Sequence, residues 1–150
     1  MSSGRDHDKI TCYYSLPFAI LCAFGIGWKG FIVGGGTFLI GGLLFSPDLD
    51  IKSYPSRRWG LLSIIWRPYC YFLSHRSLLS HSPLLGTAGR VTYIIGLYFS
   101  IHILIWLLFS NVINVNVSVV INNFTNNYEL LSCALVSIEI SAWLHLLQDS

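Results

Sequence analysis

Apolar positions in this chain gather into long runs, and short polar islands separate them. The first run, ending near Phe24, predicts a helix with Asp8 or Thr11 as its cap and a kink near Pro17. Residues 25–29 read as a tight turn. A second run, 30–45, stops at Ser46-Pro47. Its glycines weaken an isolated helix but suit close helix packing in lipid. Both runs lie near the short end of the roughly 17–25 residues that a membrane span needs. They form either two tightly paired helices or a shallow hairpin.

Residues 48–58 are polar and turn-like. Residues 59–73 are apolar and aromatic, and Arg67-Pro68 interrupts them. That pattern predicts a broken helix at the membrane surface, where Trp and Tyr are favoured. Residues 84–109 form the longest apolar run and the clearest span, with Arg90 near its start. In residues 111–127 asparagine alternates with valine and isoleucine, which fits a loop or a short β-hairpin. Residues 129–147 predict a last helix carrying Glu139, at a depth where it could pair with Arg90. The expected architecture is all-α: a polytopic membrane helical bundle of about four spans plus a broken interfacial helix. It forms a single domain over residues 1–150.

Composition supports that picture. Hydrophobic residues make up 53% of the chain and charged residues only 11%, against about 25% charged in a soluble domain. The net charge of +2 and the lack of a basic run give no case for nucleic acid. The start of the chain is polar and acidic, unlike a secretory signal, and is expected to stay in the mature protein. Cys12, Cys22, Cys70 and Cys133 form no CxxC pair and read as small core residues. Under four spans, Arg5, Lys9, Lys52, Arg57, Arg58, Arg67 and Arg76 share one face with both termini. The positive-inside rule makes that face cytoplasmic, which puts the polar islands on the cytoplasmic side of the membrane.

Those islands carry the candidate chemistry. His75 and His81 flank HRSLLSH, six residues apart, so only a bend before Pro83 brings both to one centre. Asp48 and Asp50 stand in SPDLD, where i,i+2 spacing points both carboxylates to one side of an extended loop. His145 and Asp149 share a helix face at i,i+4. His7 and Asp8 complete the set. Taken singly, each island has a plain alternative: interfacial histidines, a solvated turn, a frayed helix end, a polar terminus. Together, four histidines and four aspartates on one face suit a divalent metal with mixed N/O ligation, with zinc, manganese or iron as the candidates. Arg76 could hold an anionic substrate group, and an aspartate not engaged by metal, Asp50 being the candidate, could serve as general base. His102, mid-run without a polar neighbour, reads as structural.

The pieces SGRDHD (3–8), SPDLD (46–50), RRWG (57–60), RPY (67–69), HRSLLSHSPLLGT (75–87) and HLLQD (145–149) span nearly the whole chain. In that order they resemble a bacterial family of membrane-associated metal-binding proteins. More loosely, they are similar to the YdjM-like inner-membrane metal-dependent hydrolases. The resemblance implies a metal site of His7, Asp48, Asp50, His75, His81, His145 and Asp149. It also implies hydrolysis of a phosphoester, such as a lipid head group, by water that the metal activates. The chain departs from the hydrolase pattern by reading HRSLLSH for HRG-x-TH, and it stops just after HLLQD, where the last helix is expected to continue. A non-catalytic metal-binding role is the alternative function.

Overall fold

A computed structural model describes residues 4–51, 53–73, 77–109, 122 and 124–149, with the backbone alone at Leu78 and Leu79. The chain forms α1 (Gly4–Ile26), α2 (Trp28–Leu43), a 3-10 turn (Pro47–Asp50), α3 (Tyr54–Arg58), a second 3-10 helix (Gly60–Trp66), α4 (Arg67–Phe72), α5 (Leu78–His81), α6 (Leu85–Leu108) and α7 (Tyr128–Asp149). No strand occurs among the described residues, so the fold is all-α. Most of the expected 111–127 loop lies outside the described residues; 124–126 are helical.

α1 begins earlier than its expected caps. Asp8 and Thr11 therefore lie inside it, and the helix continues through Pro17. Asp8 accepts a hydrogen bond from the Arg58 guanidinium, and Thr11 is buried. The turn into α2 falls at Gly27, whose φ of 71° lies in the left-handed region that glycine enters at little cost. α2 then lies between α1 and α7. A Cβ on Gly42 would sit 2.7 Å from Ser141 Oγ and also collide with Thr11. Glycine lets the three backbones approach, as in lipid-embedded helix pairs.

α1, α6 and α7 are each long and apolar enough to cross a membrane. α2 is shorter. Its 16 residues span about 24 Å, against a hydrocarbon core of about 30 Å. Gly27 starts α2 late, and it ends at Leu43, just before Ser46-Pro47. Among the described residues, none of the most apolar window of α6 is buried. Its exposed Ile95, Leu104 and Leu108 suit contact with lipid.

Between α2 and α6 the chain folds over one end of the bundle. The expected break at Arg67-Pro68 appears as the change from the second 3-10 helix to α4. Trp66 is fully buried, its ring 5.4 Å from Trp59, 5.6 Å from Phe45, 5.5 Å from Tyr69 and 5.7 Å from Tyr93. Leu49 packs into this aromatic cluster with no exposure. Its two neighbours in the turn, Asp48 and Asp50, reach His81 instead. Two further bonds pin the turn: Ser53 Oγ donates to Asp48 O at 2.6 Å, and Cys70 Sγ donates to Leu49 O at 3.1 Å.

Two expectations need correction. Arg90 and Glu139 do not pair. Arg90 is buried and donates to Ser80 O and Thr87 Oγ1, both at 3.1 Å. Glu139 instead accepts from the Leu84 N–H at 2.7 Å and from the Trp143 indole. Comparable depth fixed neither helix's rotation, and each group found a closer partner. The cysteines are also not uniformly packed: all four are free, and Cys12 is exposed.

Candidate metal centre

Four parts of the chain meet at one end of the bundle: the start of α1, the 3-10 turn after α2, the short α5, and the end of α7. His7 enters from the first turns of α1, and His145 and Asp149 from the last turns of α7. The two imidazoles stack with centroids 4.0 Å apart. His7 Nε2 lies 3.2 Å from Asp149 Oδ1, and His145 Nε2 lies 3.5 Å from Asp149 Oδ2. Donor atoms of these three residues all fall within 4.8 Å of one another.

Asp48 joins that group to His81. Its Oδ2 is 3.4 Å from His145 Nε2, and its Oδ1 is 3.5 Å from His81 Nε2. One carboxylate thus faces two imidazoles, one with each oxygen. Asp50 stands on the far side of His81, with Oδ2 3.4 Å from Nδ1. Ser80 Oγ is 3.1 Å from the same nitrogen, and Ser46 Oγ is 3.3 Å from His145 Nδ1. Each of these rings therefore has an oxygen partner at Nδ1 and presents Nε2 to Asp48. A metal-binding histidine needs this division of labour, because the held nitrogen fixes tautomer and ring orientation.

The separations discriminate between a hydrogen-bond network and a ligand set. Charge-assisted N–H···O bonds run at about 2.7–2.9 Å. The histidine–carboxylate distances here, 3.2–3.5 Å, are longer. Two donors, each about 2.0–2.2 Å from a tetrahedral ion, would be separated by roughly 3.3–3.6 Å. His145 Nε2 is buried, with the Asp48 and Asp149 carboxylate oxygens at 3.4 and 3.5 Å and, among the described residues, no partner at hydrogen-bond geometry. The residues fit a divalent metal.

Electrostatics tell the same story. Burial pushes the Asp48 carboxyl up, but the imidazoles of His145 and His81 outweigh it and hold Asp48 well below the usual carboxylate range. The Asp48 and Asp50 carboxylates raise His81 to about 9, against its own burial. Without metal, His81 is thus an imidazolium lodged between two carboxylates.

The structure brings together His7, Asp48, Asp50, His81, His145 and Asp149. Asp8 is engaged by Arg58. His75 and Arg76 lie outside the described residues. His102 sits away from the site on α6, its ring stacked 6.0 Å from Tyr98. Sequence reasoning missed the orienting groups Ser46 and Ser80, and it missed Arg90, which anchors the residue before His81 through the Ser80 carbonyl. The available signal was adjacency, since both serines sit inside motifs already singled out, SPDLD and HRSLLSH.

The profile of a family described as "Uncharacterized metal-binding protein (DUF2227)" matches residues 2–150. A protein of Aquifex aeolicus (strain VF5), described as "Uncharacterized protein", is 39% identical over 72 residues. That match covers 47% of this chain and 43% of the relative, so it spans less than half of the relative's length. No solved structure matches.

Proposed function

The chain belongs to this metal-binding family, and from that premise we propose that it holds divalent metal at two adjoining positions joined by Asp48 and uses them to hydrolyse a phosphoester. His7, His145 and Asp149 hold one ion. His81 holds the other, with Asp48 between them and Asp50 as the carboxylate that orients the His81 ring rather than as a ligand or base. The observation that carries this reading is the convergence of three imidazole Nε2 atoms and two carboxylates from four separate parts of the chain. The mixture of nitrogen and oxygen donors suits zinc, with manganese or iron as the next candidates.

A divalent ion there would polarise a phosphoester oxygen and lower the pKa of water. The chain's own residues prepare the place. Asp48 and Asp149 keep partial exposure, 22% and 20% of their side chains, while His7 and His145 are buried at 6% and 4%. The site therefore opens at its carboxylates, and a substrate meets them first. Arg76, five residues before His81, is the group we assign to the substrate phosphate. The lack of Lys or Arg in residues 111–127, against the basic residues at the site end, supports an inner-membrane protein with this end in the cytoplasm.

Elemental analysis of the detergent-purified protein, followed by a phosphoester panel with and without chelator, tests the proposal. The expected result is two equivalents of metal and chelator-sensitive turnover. Stoichiometric metal without turnover on any ester would replace this reading by a non-catalytic one, in which the ions tie α1 to α7. Absence of metal would sink both.

A further inference from the structure

Beside the metal centre, α3, the second 3-10 helix and α4 enclose a cleft of about 610 Å³. Its walls carry Ser56 and Arg57 from α3, Ser63 and Trp66 from the 3-10 helix, and Arg67 and Cys70 from α4. Two cations thus share one concavity on a segment that spans nothing. Both arginines are exposed. Among the described residues neither guanidinium has a hydrogen bond or an ion pair, whereas the adjacent Arg58 has both, bonding Leu43 O at 2.9 Å and pairing with Asp8. Among the described residues the buried indole N–H of Trp66 also lacks a hydrogen-bond partner.

The same segment displays a row of apolar side chains: Leu61 is 96% exposed, Tyr71 85% and Phe72 79%. Such exposure beside free arginines belongs at the level of lipid head groups, where rings and aliphatic chains enter the acyl boundary and cations face phosphate. We propose that this cleft seats the phosphate of an anionic phospholipid, gripped by Arg57 and Arg67. The guanidinium fork matches phosphate oxygens in pairs. A free anion would satisfy the arginines but leave the surrounding apolar side chains in water; a lipid accounts for both features. The site is independent of the metal reading. It does lie against the ligand-bearing turn: Ile51, next to Asp50, lines the cleft, and Cys70 in its wall bonds Leu49 O.

The full chain, reconstituted in nanodiscs of equal parts phosphatidylglycerol and phosphatidylcholine, provides the test. Lipid retained through mild delipidation is read by native mass spectrometry, and bound metal is measured in the same samples. The wild type is expected to retain phosphatidylglycerol in preference to phosphatidylcholine. Arg57→Gln/Arg67→Gln should reduce that preference roughly ten- to thirty-fold, and Arg57→Lys/Arg67→Lys should restore part of it, with metal content unchanged throughout. If the glutamine variant is poorly folded, comparison of the lysine variant with wild type decides, because lysine keeps the charge and loses the fork. Equal retention of the two lipids by the wild type, or a preference untouched in both double variants, overturns the proposal. So does displacement of the lipid by millimolar inorganic phosphate, which would assign the cleft to a free anion. A wild type without metal that still selects phosphatidylglycerol would refute the metal centre alone.

Discussion

His145 and His81 show how much a single ring's two nitrogens decide. At His145, Ser46 faces Nδ1 while Nε2 faces two carboxylates. Ser46→Ala should therefore keep the ligand and lose its orientation, weakening metal binding by about 10–100-fold; His145→Ala should remove an equivalent of metal outright. Titration with a competing chelator separates the two outcomes, and equal losses in both variants would show that Ser46 acts through folding. The pH dependence of the metal-free protein follows from the same pairs. His81 is raised to about 9, above the roughly 6.5 of a free imidazole. Its stabilising contribution is thus complete below about pH 6.5 and disappears as pH climbs through about 9. Asp48 is lowered, so its contribution is complete above roughly pH 4 and disappears in acid. With chelator present, the melting temperature should be highest between these limits and fall on both sides. Asp48→Asn should flatten both limbs, and a variant with the wild-type profile would contradict the pairing.

At the scale of elements, close packing of α2 between α1 and α7 decides whether the ligands can meet. Gly42→Leu would drive a side chain into Thr11 and Ser141, at a cost of about 1–3 kcal/mol, and should lower metal retention because Thr11 and Ser141 are each one turn from a ligand. Gly36→Ala, where a methyl would meet nothing within 4 Å, should be silent in both melting and metal content; a large effect there would mean that α2 has another neighbour. The helices themselves were legible, because hydropathy in a chain this apolar leaves little else for residues 30–45 or 84–109 to be. The interfacial break at Arg67-Pro68 was legible for a similar reason, proline chemistry. The meeting of the His/Asp islands could be anticipated only as a shared face. Rotation about each helix axis was not legible: Arg90 and Glu139 matched in depth and still chose Ser80 and Leu84. Nor could spacing show that Asp50 stands behind His81 rather than beside Asp48, since that depends on Leu49 being drawn into the Trp66 cluster.

For the molecule as a whole, α1 and α6 run away from the metal end, while α2 and α7 run toward it. Reporters fused at residues 4 and 149 should therefore report the same side of the membrane, and one at residue 115 the opposite side; any other pattern excludes this topology. Within that frame, His7 and Asp149 bring nearly the first and last described residues to a 3.2 Å approach. An ion held there would close everything from α1 to α7 into one loop, as a disulfide between the same helices would, but reversibly. Loop-closure entropy makes such long closures the most stabilising in principle. The strength of this closure would be set by the surrounding metal activity: about 2.7 kcal/mol when free metal stands at a hundred times its dissociation constant, and nothing when metal is scarce. A cell short of metal would thus hold a protein whose α1 and α7 part more easily, so that lifetime against membrane proteases would record metal supply.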